Sequence, residues 1–204
     1  MSVAVLLLAA GASTRMRGGD KLLELLGGEP LLRRSARTAL ASGAAETLVV
    51  FGANHPARRA VLSGLPIRAI YNKDWEKGMG ASIAAGAAAT PPETRAVIVM
   101  PADMPDLTPA LLNHLIDALP SDGSGVILRP RTAQGKPGNP VLFGADYLPA
   151  LAALDADRGA RDIIDHHRAA LTYLDLDTEA VLVDLDTPEA WASYRDGRRA
   201  GNNI

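Results

Sequence analysis

The stretch "VLLLAAGASTRMRGGDKLLELLGGEPLL", residues 5–32, decides the fold of this chain. Its apolar start predicts a buried β-strand, and the small residues that follow predict a tight turn towards a helix. Arginines and a lysine lie in the same loop. Because small residues let backbone N–H groups approach a ligand closely, and because the basic side chains add positive charge, the loop predicts a site for an anion.

Short β-branched runs alternate with helix-like stretches along the rest of the chain. This alternation predicts a mostly parallel sheet with helices on both faces. Right-handed crossovers then give a three-layer, doubly wound, Rossmann-like α/β fold. The predicted strands are 3–8, 47–51, 67–71, 96–100, 125–128 and 140–143. The predicted helices are 31–42, 57–62, 81–89, 109–119 and 147–154.

The length of 204 residues suits one α/β domain, which we place at 1–194. The polar segment 195–204 is predicted to be a flexible tail. No run approaches the roughly 18 to 20 apolar residues of a membrane span. The first apolar block has no basic region before it and no cleavage pattern after it, so we expect a mature cytoplasmic protein with no membrane contact.

Composition excludes several kinds of site. The chain has no cysteine, which rules out disulfides, thiolate metal sites and cysteine nucleophiles. A net charge of −2 gives no bias towards nucleic acid, and the short basic pairs lack interleaved aromatics, so no nucleic-acid partner is expected. The four histidines lack the spacing of two ligands on one helix face, and no G-x-S-x-G elbow is present.

Two familiar phosphate loops do not fit the opening stretch. The dinucleotide fingerprint G-x-G-x-x-G fails because Gly11 is followed by alanine and serine. The Walker loop needs Gly-Lys-Ser/Thr, whereas Lys21 lies between aspartate and leucine. A tight turn alone would explain the small residues, but it would not explain Arg15 and Lys21 six residues apart.

The segment "LAAGASTRMRGGDKLLELLGGEPLL" resembles the signature L-A-A-G-x-S-x-R-M-G, K-L-L and G-x-P-L-L of the MobA-like nucleotidyltransferases, most closely the molybdenum cofactor cytidylyltransferase branch. Arg17 makes the spacing one residue longer than the commonest form. The resemblance implies the nucleotide-diphospho-sugar transferase version of the fold and catalytic roles for Arg15, Lys21 and Asp103. The nucleotide-binding residues that it implies are Leu8, Ala9, Ala10, Gly11, Ser13, Arg15, Lys21, Gly80 and Ser82.

Two acidic segments predict a metal site. "VIVMPADMPDLTP", 97–109, ends a predicted strand with an aspartate, where a carboxylate can hold Mg²⁺ against a triphosphate. It resembles the D-M-P segment of the family, which implies that Asp103 is a metal ligand and leaves a turn or cap role to Asp106. In "VDLDTPEAW", Asp184 and Asp186 lie two apart, so both point to one side of an extended segment. Asp186 either joins the metal or begins a helix; Mn²⁺ is an expected substitute for Mg²⁺.

Three further segments resemble the family. "NKDWEKGMGASIAAGAAA", 72–89, is similar to N-x-x-W-x-x-G-M-x-x-S, which lies beside the nucleotide base. "GKPGNPVLFG", 135–144, is similar to G-H-P-V-L-F, which implies that Asn139 and Pro140 face the acceptor. Asn139 replaces a common histidine and cannot titrate near neutrality, but it can form hydrogen bonds. "DADRGARDII", 155–164, is similar to G-D-x-G-A-R and includes Asp157.

The reaction implied is attack by an acceptor phosphate on the α-phosphate of a nucleoside triphosphate, with loss of pyrophosphate. The A-A-G form favours CTP, with molybdenum-loaded molybdopterin as acceptor and molybdopterin cytosine dinucleotide as product. A guanylyltransferase or a sugar-phosphate nucleotidyltransferase is the enzymatic alternative. A noncatalytic maturation chaperone for molybdenum hydroxylases is the alternative of another class. A hydroxylase, or its chaperone, is the expected protein partner.

Overall fold

The computed structural model describes residues 2–155 and 159–201. Its strands are β1 (Val3–Ala9), β2 (Leu25–Leu26), β3 (Glu29–Pro30), β4 (Glu46–Phe51), β5 (Arg68–Tyr71), β6 (Ala96–Pro101), β7 (Ile127–Thr132), β8 (Val141–Gly144) and β9 (Leu171–Leu176). Its helices are α1 (Leu31–Leu40), α2 (His55–Ala60), α3 (Met79–Ala88), α4 (Pro109–Asp117), α5 (Leu148–Ala152), α6 (Arg161–His166) and α7 (Pro188–Gly201).

The central sheet of the described residues has seven strands in the order β5-β4-β1-β6-β8-β7-β9. Strand β1 pairs in parallel with β4 and β6, and β4 pairs in parallel with β5. Strand β8 runs antiparallel to both of its neighbours, while β7 and β9 are parallel. Strands β2 and β3 form a separate small hairpin. The predicted mostly parallel α/β sheet is therefore confirmed.

The middle strand, β1, is buried on both faces of the sheet. Val3, Val5 and Leu7 pack in one apolar cluster with residues of α1 and α4. Ala4 and Leu6 pack in a second cluster on the opposite face, with residues of α3, α5 and α6. A strand covered by helices on both sides needs a continuous apolar sequence rather than an alternating one, which is what residues 3–9 supply. The three-layer α/β/α architecture is confirmed.

Each predicted strand and helix exists, with ends displaced by a few residues. The largest displacement is at the end of β7, which continues to Thr132 because it pairs with β9 along its whole length, whereas the predicted strand ended at 128. The hairpin β2–β3, the edge strand β9 and helix α6 were not predicted. Helix α7 begins at Pro188, where a helix start after Asp186 was one of the two alternatives. Strand β9 is only partly buried and carries charged and polar residues, so it lacks the apolar run that marks the interior strands.

The predicted tail boundary at residue 195 falls inside α7, which continues to Gly201. Arg195 stacks over the buried ring of Trp191, with 4.7 Å from its guanidinium carbon to the ring centroid. It also donates to a carboxylate oxygen of Glu24 over 2.8 Å. These contacts tie the start of the predicted tail to the domain. Within the part of the chain described, no helix is long and apolar enough to cross a membrane.

Candidate active site

A cavity of about 570 Å³ opens at the carboxyl ends of β1 and β6. One wall is the loop after β1, residues 10–22, which we call the β1 loop. The start of α3 and the 3₁₀ turn before it form the opposite wall, and the floor holds the residues that follow β6. The lining residues of the β1 side are Leu8, Ala10, Gly11, Ala12, Ser13, Thr14, Arg15, Lys21 and Leu22; those of the other walls are Trp75, Glu76, Gly78, Met79, Ser82, Pro101, Asp103 and Asp186.

Most residues predicted to bind nucleotide line this one cavity. Ala9 and Gly80 are buried and do not line it. The carbonyl oxygen of Ala9 instead accepts a hydrogen bond from Arg58 over 2.8 Å, on the side of the loop away from the cavity. Within the stretch 9–13, the residues that line the cavity are therefore Ala10, Gly11, Ala12 and Ser13.

Lys21 bridges two carboxylates on the cavity floor. Its Nζ lies 2.5 Å from an oxygen of Asp103 and 2.5 Å from an oxygen of Asp186. Arg15 contacts the other oxygen of Asp186 over 2.8 Å. Burial lowers the pKa of Lys21, but the charges and hydrogen bonds of the two aspartates outweigh it, so that pKa is raised. The three predicted catalytic residues and Asp186 thus form one cluster.

Two carboxylates of this cluster and a third beside it are arranged as a metal centre would need. Asp103, Asp184 and Asp186 each offer an oxygen within 4.8 Å of the others. Oδ1 of Asp103 is buried and accepts no hydrogen bond in the described structure. Hard divalent cations prefer carboxylate oxygens, and an unpaired buried oxygen favours such a ligand, so the residues fit Mg²⁺ or Mn²⁺.

The segment that carries Asp184 and Asp186 is held against the residues after β6. The N–H of Leu185 donates to the carbonyl of Asp103 over 3.1 Å. Burial and the charges of Asp103 and Asp186 raise the pKa of Asp184. Thr187 caps α7 by accepting from the N–H of Ala190 over 3.1 Å. The segment can therefore both start a helix and contribute to the metal site, because Thr187 caps α7 while Asp186 faces Lys21.

A buried polar cluster behind the β1 loop was missed. Arg58 has no exposed surface, and its guanidinium donates to both oxygens of Asp20 over 2.9 Å. The sequence offered only a surface-like basic pair, Arg58 with Arg59, and an aspartate before Lys21. No local spacing could have matched Asp20 with a residue that lies 38 positions later.

The wall opposite the β1 loop is set by close packing and two hydrogen bonds. Asn72 donates to Ser82 over 3.2 Å and accepts from the N–H of Asp74 over 3.0 Å. Gly52 is needed beneath this wall, because a Cβ there would lie 2.5 Å from the Cβ of Trp75. The tryptophan of the predicted base-binding segment is thereby brought to the edge of the cavity.

The predicted acceptor residues lie away from this cavity. The N–H of Asn139 donates to the carbonyl of Val181 over 2.9 Å, and Pro140 is buried. Neither residue lines the cavity. Asp157, in the segment similar to G-D-x-G-A-R, is outside the described residues. The contact of Asn139 and Pro140 with an acceptor stays a prediction.

The comparisons with known proteins agree with this geometry. Residues 5–171 match the model of the MobA-like NTP transferase domain. The chain is 32% identical to nicotine blue oxidoreductase of Paenarthrobacter nicotinovorans, over 90% of this chain and 91% of that protein. It is 31% identical to the purine catabolism protein PucB of Bacillus subtilis, over 92% of this chain and 93% of that protein.

Among solved structures, Rv0371c of Mycobacterium tuberculosis superposes with a TM-score of 0.83 at 24% identity, covering 96% of this chain and 98% of that one. Its manganese complex gives a TM-score of 0.79, covering 95% of this chain and 97% of that one. These likenesses show the fold. The match over residues 5–171 and the two relatives above 30% identity confirm the family indicated by the β1 loop. The chain belongs to the MobA-like NTP transferase family.

Proposed function

We propose that this protein transfers CMP from CTP to molybdenum-loaded molybdopterin, forming molybdopterin cytosine dinucleotide and releasing pyrophosphate. The proposal is carried by the cluster in which Lys21 bridges Asp103 and Asp186 beside a loop of small residues. A positive side chain, carboxylates and a loop of small residues at one cavity match the needs of a triphosphate and its metal.

The residues of the β1 loop would bind the triphosphate. The backbone at Ala10, Gly11 and Ser13 lines the cavity and has little side chain to obstruct a phosphate group. Arg15 is largely exposed, with 71% of its side chain accessible, so it can turn from Asp186 towards a phosphate at little cost. Lys21 would neutralise the charge that develops on the leaving pyrophosphate.

Asp103, Asp184 and Asp186 would hold the divalent cation, Mg²⁺ or Mn²⁺, and the cation would supply charge neutralisation to the phosphate oxygens when bound. The manganese complex of Rv0371c, a protein of the same fold, supports the use of a divalent cation. The acceptor phosphate is already an anionic nucleophile near neutral pH. Positioning and charge neutralisation therefore matter more here than a strong general base.

The choice of base and acceptor depends on the sequence motif. Leu8-Ala9-Ala10-Gly11 has the A-A-G form of the cytidylyl branch, whereas the guanylyl branch has a second glycine at this point. The names of the two curated relatives differ in chemistry, one an oxidoreductase and one a purine catabolism protein, and they do not decide the acceptor. CTP and molybdopterin are thus the specific part of the proposal.

The test is incubation of the purified protein with molybdopterin, Mg²⁺ or Mn²⁺, and each of CTP, GTP, UTP and ATP in turn. Pyrophosphate release and the mass of the pterin product are measured. We expect pyrophosphate and a cytidylylated pterin with CTP. Turnover with GTP alone would assign the guanylyl reaction, and turnover only with an added sugar phosphate would assign that acceptor. Tight binding of the finished dinucleotide, without pyrophosphate from any triphosphate, would replace the enzyme by a cofactor chaperone.

A further inference from the structure

The polar cluster behind the β1 loop, formed by Arg58, Asp20, Asn54 and Ser13, is held together by many hydrogen bonds. The guanidinium of Arg58 donates to both oxygens of Asp20, to the carbonyl of Ala9 and to the hydroxyl of Ser13. Asn54 adds a hydrogen bond to Asp20 over 2.8 Å. Burial raises the pKa of Asp20, but the hydrogen bonds from Arg58 and Asn54 and the charge of Arg58 outweigh it and leave that pKa lowered.

Ser13 links this cluster to the catalytic lysine. Its Oγ accepts from Arg58 over 3.2 Å and from the backbone N–H of Lys21 over 3.3 Å, and it donates to Asp20 over 3.3 Å. A hydroxyl has one donor and two acceptor positions, so all three are used. The backbone position of Lys21 is therefore set by a side chain on α2, through one intervening serine.

The backbone around the cluster is held in conformations that a free chain would seldom adopt. Ser13 and Asn54 both have left-handed φ angles, of 55° and 51°. Residues other than glycine keep such angles only where the surroundings enforce them. Both residues bond to Asp20, the first by its hydroxyl and the second by its amide. The cluster thus enforces the path of the chain on both sides of the contact.

We propose that Arg58 is a positioning residue for the nucleotidyl transfer reaction: through Asp20 and Ser13 it places the backbone of the β1 loop and the ammonium group of Lys21. It does not line the cavity and touches no reacting atom. The inference rests on the proposed function for its consequences in catalysis, while the placement of the loop stands on the contacts above.

The test compares four variants with the wild type. Arg58→Lys keeps the charge but loses the two-pronged contact. Arg58→Met leaves Asp20 buried without its partner. The double variant Asp20→Asn with Arg58→Met removes both charges, so neither is left buried without a partner. Its effect on the loop can therefore be measured without a large loss of stability. Arg59→Met is the matched control, because Arg59 is the exposed neighbour on the same helix.

Two measurements are made on each folded protein: hydrogen exchange of the amides at 10–22 without ligand, and the separate kcat and KM for pyrophosphate release. We expect the double variant to unfold near the wild-type temperature, with loop amides that exchange about tenfold faster or more. Its kcat should fall about 10²-fold, the scale of an ångström-sized misplacement of catalytic groups. Arg58→Lys should resemble the double variant, and Arg59→Met the wild type.

Wild-type loop exchange and wild-type kcat in both the double variant and Arg58→Lys would overturn the positioning role. Faster exchange in Arg59→Met as well would also overturn it, because the effect would then not be specific to Arg58. If the wild type released no pyrophosphate from any triphosphate, the proposed function would fail, yet the exchange data would still decide whether Arg58 places the loop. If the double variant did not fold, Arg58→Lys would carry both measurements.

Discussion

The β1 loop is held by ion pairs on two flanks that differ in burial. On the inner flank, towards α2, the fully buried Arg58 contacts Asp20, whose side chain is 13% exposed. On the outer flank, towards α7, Arg17 contacts Glu189 over 2.6 Å with both side chains more than half exposed. Similar charges at similar distances thus have different consequences, because water screens the outer pair and not the inner one. The inner flank sets the path of the loop, and the outer flank can change without disturbing it.

Removing the buried guanidinium tests most directly whether the two flanks differ in their contribution to stability. Arg58→Met leaves Asp20 as a buried, unpaired charge, and we expect a loss of about 3 to 5 kcal/mol in the free energy of unfolding. Urea denaturation followed by circular dichroism measures it. The matched variant Arg59→Met should stay within about 0.5 kcal/mol of the wild type. Equal losses in the two variants would contradict the distinction.

The next largest effect is expected from a change of Lys21 on the cavity floor. Lys21→Met should lower kcat for nucleotide transfer by about 10²-fold or more, because one preorganised charge-stabilising group is lost. Arg59→Met, at an exposed position that does not line the cavity, is the control and should leave kcat unchanged. Normal turnover in a folded Lys21→Met protein would show that the lysine only neutralises Asp103 and Asp186.

The inner flank also predicts a pH dependence of stability. The pKa of Asp20 is lower in the folded protein than its ordinary value of 3.8, so its ionised form stabilises the fold above that value. This contribution is lost as the pH falls through the folded pKa, because the carboxylate must then be protonated. Unfolding free energies between pH 6 and pH 3, in roughly half-unit steps, should fall more steeply for the wild type than for Asp20→Asn. If the two proteins lost stability equally with falling pH, the ionised form of Asp20 would not stabilise the fold.

The outer flank predicts the smallest effect. Arg17 has a left-handed φ of 52°, does not line the cavity and pairs only across the surface with Glu189 in the described structure. Arg17→Ala should change the unfolding free energy by less than about 1 kcal/mol and leave the KM for the nucleotide unchanged within a few-fold. Glu189→Ala should behave alike. A large rise in KM for Arg17→Ala but not for Glu189→Ala would instead indicate that Arg17 contacts a phosphate group.

The central part of this molecule could be predicted from the sequence because its signals are local. The apolar run of β1 marks a strand buried on both faces, and the small residues after it mark the loop. Asp103 and Lys21 could be assigned because a strand end and a loop in this fold open on the same edge of the sheet. Their contact over 2.5 Å, between residues 82 apart, follows from that topology.

The remainder could not be predicted because it depends on pairing across the fold. The partner of Asp20 is chosen by the position of α2, and nothing near Arg58 distinguishes it from Arg59 until burial is known. The C-terminal half of α7 reads as a polar tail in isolation, whereas Trp191 and Arg195 pack the helix beside the β2–β3 hairpin. The antiparallel direction of β8 is likewise a property of the assembled sheet.

The central claim is that the cluster at Asp103 carries out cytidylyl transfer to molybdopterin. The most direct measurement is the initial rate of pyrophosphate release from CTP, with molybdopterin and Mg²⁺, for the wild type beside Asp103→Asn. We predict pyrophosphate in equal amount to cytidylylated pterin for the wild type, and a rate about 10²-fold lower for the variant. Equal rates in the two proteins, or no pyrophosphate from the wild type with any triphosphate, would contradict the claim.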